Sequence, residues 1–99
     1  TRREGLIASL KLQRMTATTI TTVDALRAEC DTIASQGHSF DREEFVDGLV
    51  AAAVPVRDAE GEVRAALAIH APLARLSLAK AAERVPKLHA AAARMSRLL

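Results

Sequence analysis

Few side chains in this sequence are equipped for chemistry. It has three histidines, His38, His70 and His89, and one cysteine, Cys30. Asp41 and Glu44 stand at a D-x-x-E spacing in SFDREEFVDG. The most conspicuous group is His70, an imidazole among small apolar side chains in the run ALAIHAP, Ala66–Pro72. A neutral imidazole donates or accepts one hydrogen bond and a protonated one pairs with a carboxylate, so such a residue suits the orientation of a small acid. The other chemistry on offer is a metal or catalytic centre built from His38, Asp41 and His70, with His89 as a further group. Zinc needs three or four converging ligands, and these residues follow no known ligand spacing. Cys30 lies on an apolar stripe and reads as a buried core thiol, because a reactive thiol needs an electropositive, partly exposed setting. No catalytic group, metal or cofactor is assigned.

The elements that must position these groups belong to one small domain, residues 1–99. A chain of 99 residues buries only roughly 60–70% of its unfolded surface, so its core is modest. Phe40 and Phe45 are the only aromatic side chains, which argues against a stacking platform for single-stranded nucleic acid. The net charge of +2 comes from scattered Arg and Lys residues. Without a concentrated basic patch, a DNA-binding surface on this chain is not expected. One cysteine leaves no disulfide framework. The apolar run Leu49–Val56 is too short to span a bilayer and no signal peptide precedes it, so a cytoplasmic location without membrane contact is expected. The sequence begins at Thr1 rather than Met, as a piece of something longer would.

Periodicity sets the elements. Leu6, Ile7 and Leu10 predict a short helix up to about Gln13. The tract TATTITT, Thr16–Thr22, disfavours helix because β-branched threonines lose rotamer freedom there, and it reads as an extended connector. Val23, Leu26, Cys30 and Ile33 recur at spacings of three and four, a helix ending near Gln36, capped by Thr22 and stopped by Gly37. Asp41 and Glu44 match a capping box and predict a one- or two-turn helix, Arg42–Asp47, ended by Gly48. Leu78, Ala82, Val85, Leu88, Ala92, Met95 and Leu99 mark a long amphipathic helix with Ser77 as its cap. Pro86 either kinks it or splits it in two. Arg84, Lys87, Arg94 and Arg97 form its solvated side.

Between these helices lie two strand-like runs, LVAAAVPVR (Leu49–Arg57) and EVRAALAIHA (Glu62–Ala71), joined by DAEG (Asp58–Gly61), a hairpin signal. A four-residue turn pairs Arg57 with Glu62. It sets Val54 against Ala65, Ala52 against Leu67 and Val50 against Ile69, on one face with Val56 and Val63, a floor for helices. The other face opposes Leu49 to His70, Ala51 to Ala68, Ala53 to Ala66 and Pro55 to Arg64. Small residues there leave volume above the sheet, either filled by another element or open as a pocket at whose end His70 stands. The fold class is thus α/β in the α+β sense: an antiparallel hairpin sheet packed against flanking helices, one of them a long C-terminal helix. A one-residue slip in the register would exchange the two faces.

The block GHSFDREEFVDGLVAAAVPVRDAEGEVRAALAIHAPLARL, Gly37–Leu76, resembles the C-terminal half of the effector-binding domain of IclR-family transcriptional regulators. It is similar to the family's run G-Y/H-A/S-x-D-x-E-E, then G-L/V, then A-A-P-V/I-x-D, then G-x-V-x-A-A-L/I-S-V/I-S-G-P. TITTVDALRAECDTIASQGHS and RVPKLHAAAARMSRLL look like the helices before and after it, so the resemblance runs from about Leu10 to Leu98. It implies a GAF-like fold that binds a small metabolite, often a carboxylic acid or an aromatic catabolic intermediate, as a signal-sensing module and not an enzyme. It also implies self-association into dimers or tetramers, and DNA binding by a separate winged helix-turn-helix. The family's ligand contacts fall on Asp41, on Leu49 and Ala51, and on Ala68 and His70, which replace two serines. Ala51 stands where a cysteine or serine is usual, and Ala71 replaces a glycine. The resemblance therefore implies a pocket that has lost small hydroxyls and gained an imidazole. Asp41 also has a structural reading, as a cap for backbone N–H groups. The rival to a sensor is a dimerisation or interaction module that no longer binds an effector, and its mark would be a filled alanine face with no cavity beside His70.

Overall fold

Start and stop signals act where the sequence carries them. In the computed structural model, which describes residues 2–99, the elements are α1 (Arg2–Ser9), α2 (Val23–Gln36), β1 (Ser39–Arg42), β2 (Leu49–Arg57), β3 (Val63–Pro72) and α3 (Leu78–Ser96). The Thr22 hydroxyl accepts from the Ala25 N–H, and Gly37, at φ 81°, ends α2 by donating its N–H to the Ile33 carbonyl. Ser77 accepts from the Lys80 N–H at the start of α3. That helix is continuous through Pro86. The carbonyl that proline leaves without its helical partner belongs to Ala82, an exposed residue that water can satisfy. The helix predicted up to Gln13 stops at Ser9, whose hydroxyl donates back to the Leu6 carbonyl.

The strands form one antiparallel sheet in the order β1-β2-β3, with α3 lying across one face. The fold is α+β. Central β2 turns Val50, Ala52, Val54 and Val56 towards α3, where they meet Ala81, Val85, Leu88 and Ala92. This stripe differs from the predicted one. Ala81, one turn before Val85, is buried while Ala82 on the flank is exposed. Met95 and Leu99 are exposed as well. The Ser96 hydroxyl donates to the carbonyl of Arg57, the last residue of β2, so the helix beyond it has run off the sheet.

Strand β1 is absent from the sequence reading, and the helix predicted over Arg42–Asp47 does not form. The reserve of threonines upstream explains both. Thr18 donates to the carbonyls of Arg42 and Glu43, Thr16 to that of Glu43 and Thr19 to that of Glu44. A helix would have needed those carbonyls for its own ladder. Glu43 adopts φ 60°, off the helical path, and its carboxylate takes the Gly48 N–H. Half of the capping box survives without a helix: Asp41 Oδ1 accepts from the Glu44 N–H at 2.8 Å. TATTITT is therefore a cradle for the loop after β1 rather than an extended connector.

The hairpin departs from the expected register in a way that cancels. Gly61, at φ 82°, closes a tighter turn in which the Asp58 N–H donates to the Glu62 carbonyl. This is a one-residue slip. A bulge then leaves Arg64 unpaired between Val56↔Ala65 and Arg57↔Val63, a second slip of one. Two slips restore the faces. Val50, Ala52, Val54 and Val56 still share a face with Ala65, Leu67, Ile69 and Ala71, but every pair has moved by two: Ala51 opposes His70 and Leu49 opposes Pro72. Val63, caught between the two slips, pairs with Arg57 and falls on the opposite side from the expected one.

Helix α2 buries no residue fully, and Cys30, expected in the core, is half-buried. Its main packing partner is α1 rather than the sheet. Arg3–Asp31 at 2.6 Å and Arg27–Glu4 at 2.9 Å tie the two helices together. The side-chain hydrogen bond from Arg27, with its charge, holds the Glu4 carboxyl below its usual range.

Candidate ligand-binding site

The pairing of β1 with β2 sets Ser39 opposite Ala53 and Asp41 opposite Ala51. Residues directly opposite share a face, so two rows cross the sheet on the side away from α3: Asp41–Ala51–His70 and Ser39–Ala53–Ala68. Together they line a depression of about 290 Å3. Four of the five residues singled out from the sequence, Asp41, Ala51, Ala68 and His70, line it; Leu49 lies further along β2 on the same face, opposite Pro72. His70 thus stands in the middle of the floor, in line with Asp41, instead of at its end beside Leu49.

The chemistry of the depression follows from those rows. Ala51 is 5% exposed and forms its base, while Ala68 and His70 are exposed. Among the described residues, no element fills the alanine face above them. Asp41 uses Oδ1 on the Glu44 amide, so one carboxylate oxygen serves the loop and Oδ2 is left for a partner. Asp41 and His70 are two strand spacings apart, about 10 Å. A small molecule lying across Ala51 can meet an acceptor at one end and an imidazole at the other. Ser39 adds a hydroxyl that the sequence reading missed. The signal was alternation: Ser39 and Asp41 point the same way only if SFDR is a strand, and the D-x-x-E spacing drew it as a helix start instead.

The other histidines do not join this site. The rings of His38 and His89 are 6.3 Å apart, and His38 also meets Phe40 edge-on at 5.2 Å. Among the described residues no three His, Cys, Asp or Glu side chains come together as metal ligands, so the four-residue centre weighed from the sequence does not assemble. A second cavity, about 380 Å3, lies around the outer edge of β3. Ile69, Ala71, Leu76 and Leu88 floor it, Arg75, Arg84 and Lys87 rim it, and His70 lines it as well as the smaller depression. It offers cations and apolar surface beside the same imidazole, without the carboxylate acceptor that Asp41 gives the smaller depression. No helix among the described residues is long and apolar enough to cross a membrane.

Comparison with known proteins gives this geometry a family. The model described as "Bacterial transcriptional regulator IclR C-terminal" matches residues 1–97. The probable transcriptional regulator SauR of Cupriavidus necator is 36% identical over 93 residues, 94% of this chain and 37% of SauR. The chain spans 35% of the Escherichia coli regulator KdgR, at 38% identity, and so about a third of these curated relatives. The crystal structure of the KdgR C-terminal domain superposes with a TM-score of 0.86 at 36% identity, covering 97% of this chain and 58% of that domain. The inducer-binding domain of a PobR double mutant from Acinetobacter, in complex with 3-hydroxybenzoic acid, superposes with a TM-score of 0.90 at 28% identity, covering 96% of this chain and 55% of that one. These relatives are transcriptional regulators, and the chain belongs with them, to the IclR family of bacterial transcriptional regulators, as part of its C-terminal domain.

Proposed function

We propose that this chain, residues 1–99, is the larger part of a small-molecule-sensing domain whose ligand alters DNA binding by a winged helix-turn-helix elsewhere in the regulator. The observation that carries the reading is the Asp41–Ala51–His70 row over an unfilled alanine floor. A ligand with a carboxylate for His70 and a hydroxyl for Asp41 fits that row, since an ionised Asp41 repels a second carboxylate. The 3-hydroxybenzoic acid bound by the PobR domain supports an acid of this kind. Ala51, Ala68 and Leu49 supply the apolar contact that small-molecule sites use for most of their surface. No catalytic step is assigned to any residue. Regulators of this kind act on DNA in the cytoplasm and self-associate, and both are part of the proposal.

Titration calorimetry on the intact regulator carrying this chain tests the reading, with 3-hydroxybenzoate and pyruvate as probes and His70→Ala beside the parent. Saturable binding weakened about tenfold in the variant, the loss of one charge-assisted hydrogen bond, is expected. Binding of equal strength by both proteins removes His70 from the site. No saturable binding by the parent to either acid removes the organic-acid reading and favours an interaction module.

A further inference from the structure

We propose that Thr16 and Thr18 are positioning residues of the ligand site: they fix the Asp41 carboxylate so that the depression selects acids carrying a hydroxyl group over acids without one. The proposal rests on the effector reading and adds to it what aims Asp41. The hydroxyls of TATTITT do more than shape the loop after β1, because they act through a single peptide group.

That group joins Glu43 to Glu44. Its carbonyl oxygen accepts from Thr16 Oγ1 at 2.6 Å and from Thr18 Oγ1 at 2.9 Å. Its N–H, on Glu44, donates to Asp41 Oδ1 at 2.8 Å. The peptide is trans and planar, so its oxygen and its hydrogen point in opposite directions. Hydroxyls that draw the oxygen to one side aim the N–H to the other, at Asp41. A carbonyl that accepts hydrogen bonds also makes the N–H of the same peptide a stronger donor.

The neighbours of this peptide are held too. Glu43 takes φ 60°, a left-handed conformation that a residue with a Cβ keeps only where its surroundings hold it. Those surroundings are the threonine hydroxyls and the Gly48 N–H, which donates to the Glu43 carboxylate at 2.9 Å. Glu44 is clamped at both ends: Thr19 Oγ1 donates to its carbonyl, and its Oε1 accepts from the Arg42 N–H at 3.3 Å. Thr19 Oγ1 in turn accepts from the N–H groups of Met15 and Thr16.

An aspartate carboxylate turns easily about its last torsion. Bonded through Oδ1, that of Asp41 is fixed before any ligand arrives, with Oδ2 left for it. A fixed acceptor meets a hydroxyl at a lower entropic cost than a turning one. Loosening the 43–44 peptide therefore removes the advantage of the hydroxyl and leaves His70 and the alanine floor as they are.

Titration calorimetry on the intact regulator carrying this chain compares 3-hydroxybenzoate with benzoate, which lacks the hydroxyl. The parent should prefer 3-hydroxybenzoate by about tenfold, the worth of one hydrogen bond to a charged group. In T16V/T18V that preference should vanish, as in D41A, with benzoate affinity kept. In T16S/T18S, which retains both hydroxyls, it should persist. T18V alone, at an exposed position, should lower it by about threefold and serves if T16V/T18V does not fold. Hydrogen exchange without ligand should show the Glu44 N–H exchanging about tenfold faster in T16V/T18V and at the parent's rate in T16S/T18S. Equal weakening of both acids in T16V/T18V overturns the proposal, since a merely structural role for the threonines gives that result. So does a preference untouched in T16V/T18V, or a parent that binds the two acids alike. Failure of the effector reading shows in the parent instead, as no saturable binding of either acid, and the proposal falls with it.

Discussion

Ser39, Asp41 and His70 come from two strands that flank β2, and each reaches the depression only because its neighbours in sequence point the other way. Phe40, between the first two, packs towards the α3 core. Replacing Ser39 with Ala removes one hydroxyl from the depression without touching that core, so ligand affinity should fall by about 0.5–1.5 kcal/mol while the melting temperature stays put. Calorimetry and thermal denaturation of the same variant separate the two effects. A second prediction concerns Asp58 in the hairpin turn. Desolvation pushes its carboxyl up, but the N–H groups of Glu62 and Glu60 and the charge of Arg64 outweigh that and leave it below its ordinary value. A carboxyl whose folded value is depressed stabilises the fold above its ordinary value, and that contribution fades as pH falls through the lower folded one. Asp58→Asn keeps an acceptor in the turn but cannot titrate. The melting temperatures of parent and variant should therefore differ near neutrality and converge below about pH 4. At this scale the sequence was informative about which residues matter and misleading about their neighbours. Composition marked out His70, but its partner in the row depended on counting residues through a turn.

The elements were legible wherever local chemistry decides. Thr22, Gly37 and Ser77 cap the helices as their side chains or lack of them dictate. Two failures have one cause: a distant partner claimed groups that a local reading assigned to their neighbours. The threonines of Thr16–Thr19 took the carbonyls of Arg42, Glu43 and Glu44, and nothing in SFDREEFVDG announces that. Thr16 is 7% exposed and its hydroxyl meets the Glu43 carbonyl at 2.6 Å. Thr16→Val, close in shape, should destabilise the fold by about 0.5–1.5 kcal/mol, the worth of one hydrogen bond, since the Glu43 carbonyl keeps the Thr18 hydroxyl. Denaturant titration reads that loss. Pro86 gives a prediction of the opposite sign. It sits inside a continuous helix and costs one backbone hydrogen bond, so Pro86→Ala should raise stability, by up to about 3 kcal/mol. A variant no more stable than the parent would show that the helix has already relaxed around the ring.

The whole molecule is a thin plate, 39 × 37 × 18 Å, the thickness of a sheet with a helix layer on one side. Its radius of gyration, 14.5 Å, exceeds the ~13 Å of a compact chain this long. Stability therefore rests on one interface, β2 against α3. Leu88, 7% exposed, sits at its centre. Leu88→Ala should cost about 2–5 kcal/mol, a large share of what a small domain has, and should lower the urea midpoint without shifting ligand affinity in whatever remains folded. The sequence foretold this two-layer plan from one period of two and one of 3.6. It did not foretell that α2 would stand off the sheet, because an apolar stripe announces that something covers it and not what.

The hairpin's two one-residue irregularities, the turn at Gly61 and the bulge at Arg64, work like a parity check. Either alone would turn Ala66, Ala68 and His70 of β3 towards α3 and Leu67, Ile69 and Ala71 away from it; together they leave the core unaware that anything has moved. Length changes here are thus admissible in pairs, and a lone deletion at Gly61 should be lethal to the fold unless the bulge closes with it. Equally, a further paired change would slide the imidazole to the next row of the floor, along β2, with the core untouched. The position of the recognition group and the integrity of the interior are separable quantities in this chain, the first adjustable in steps of two residues.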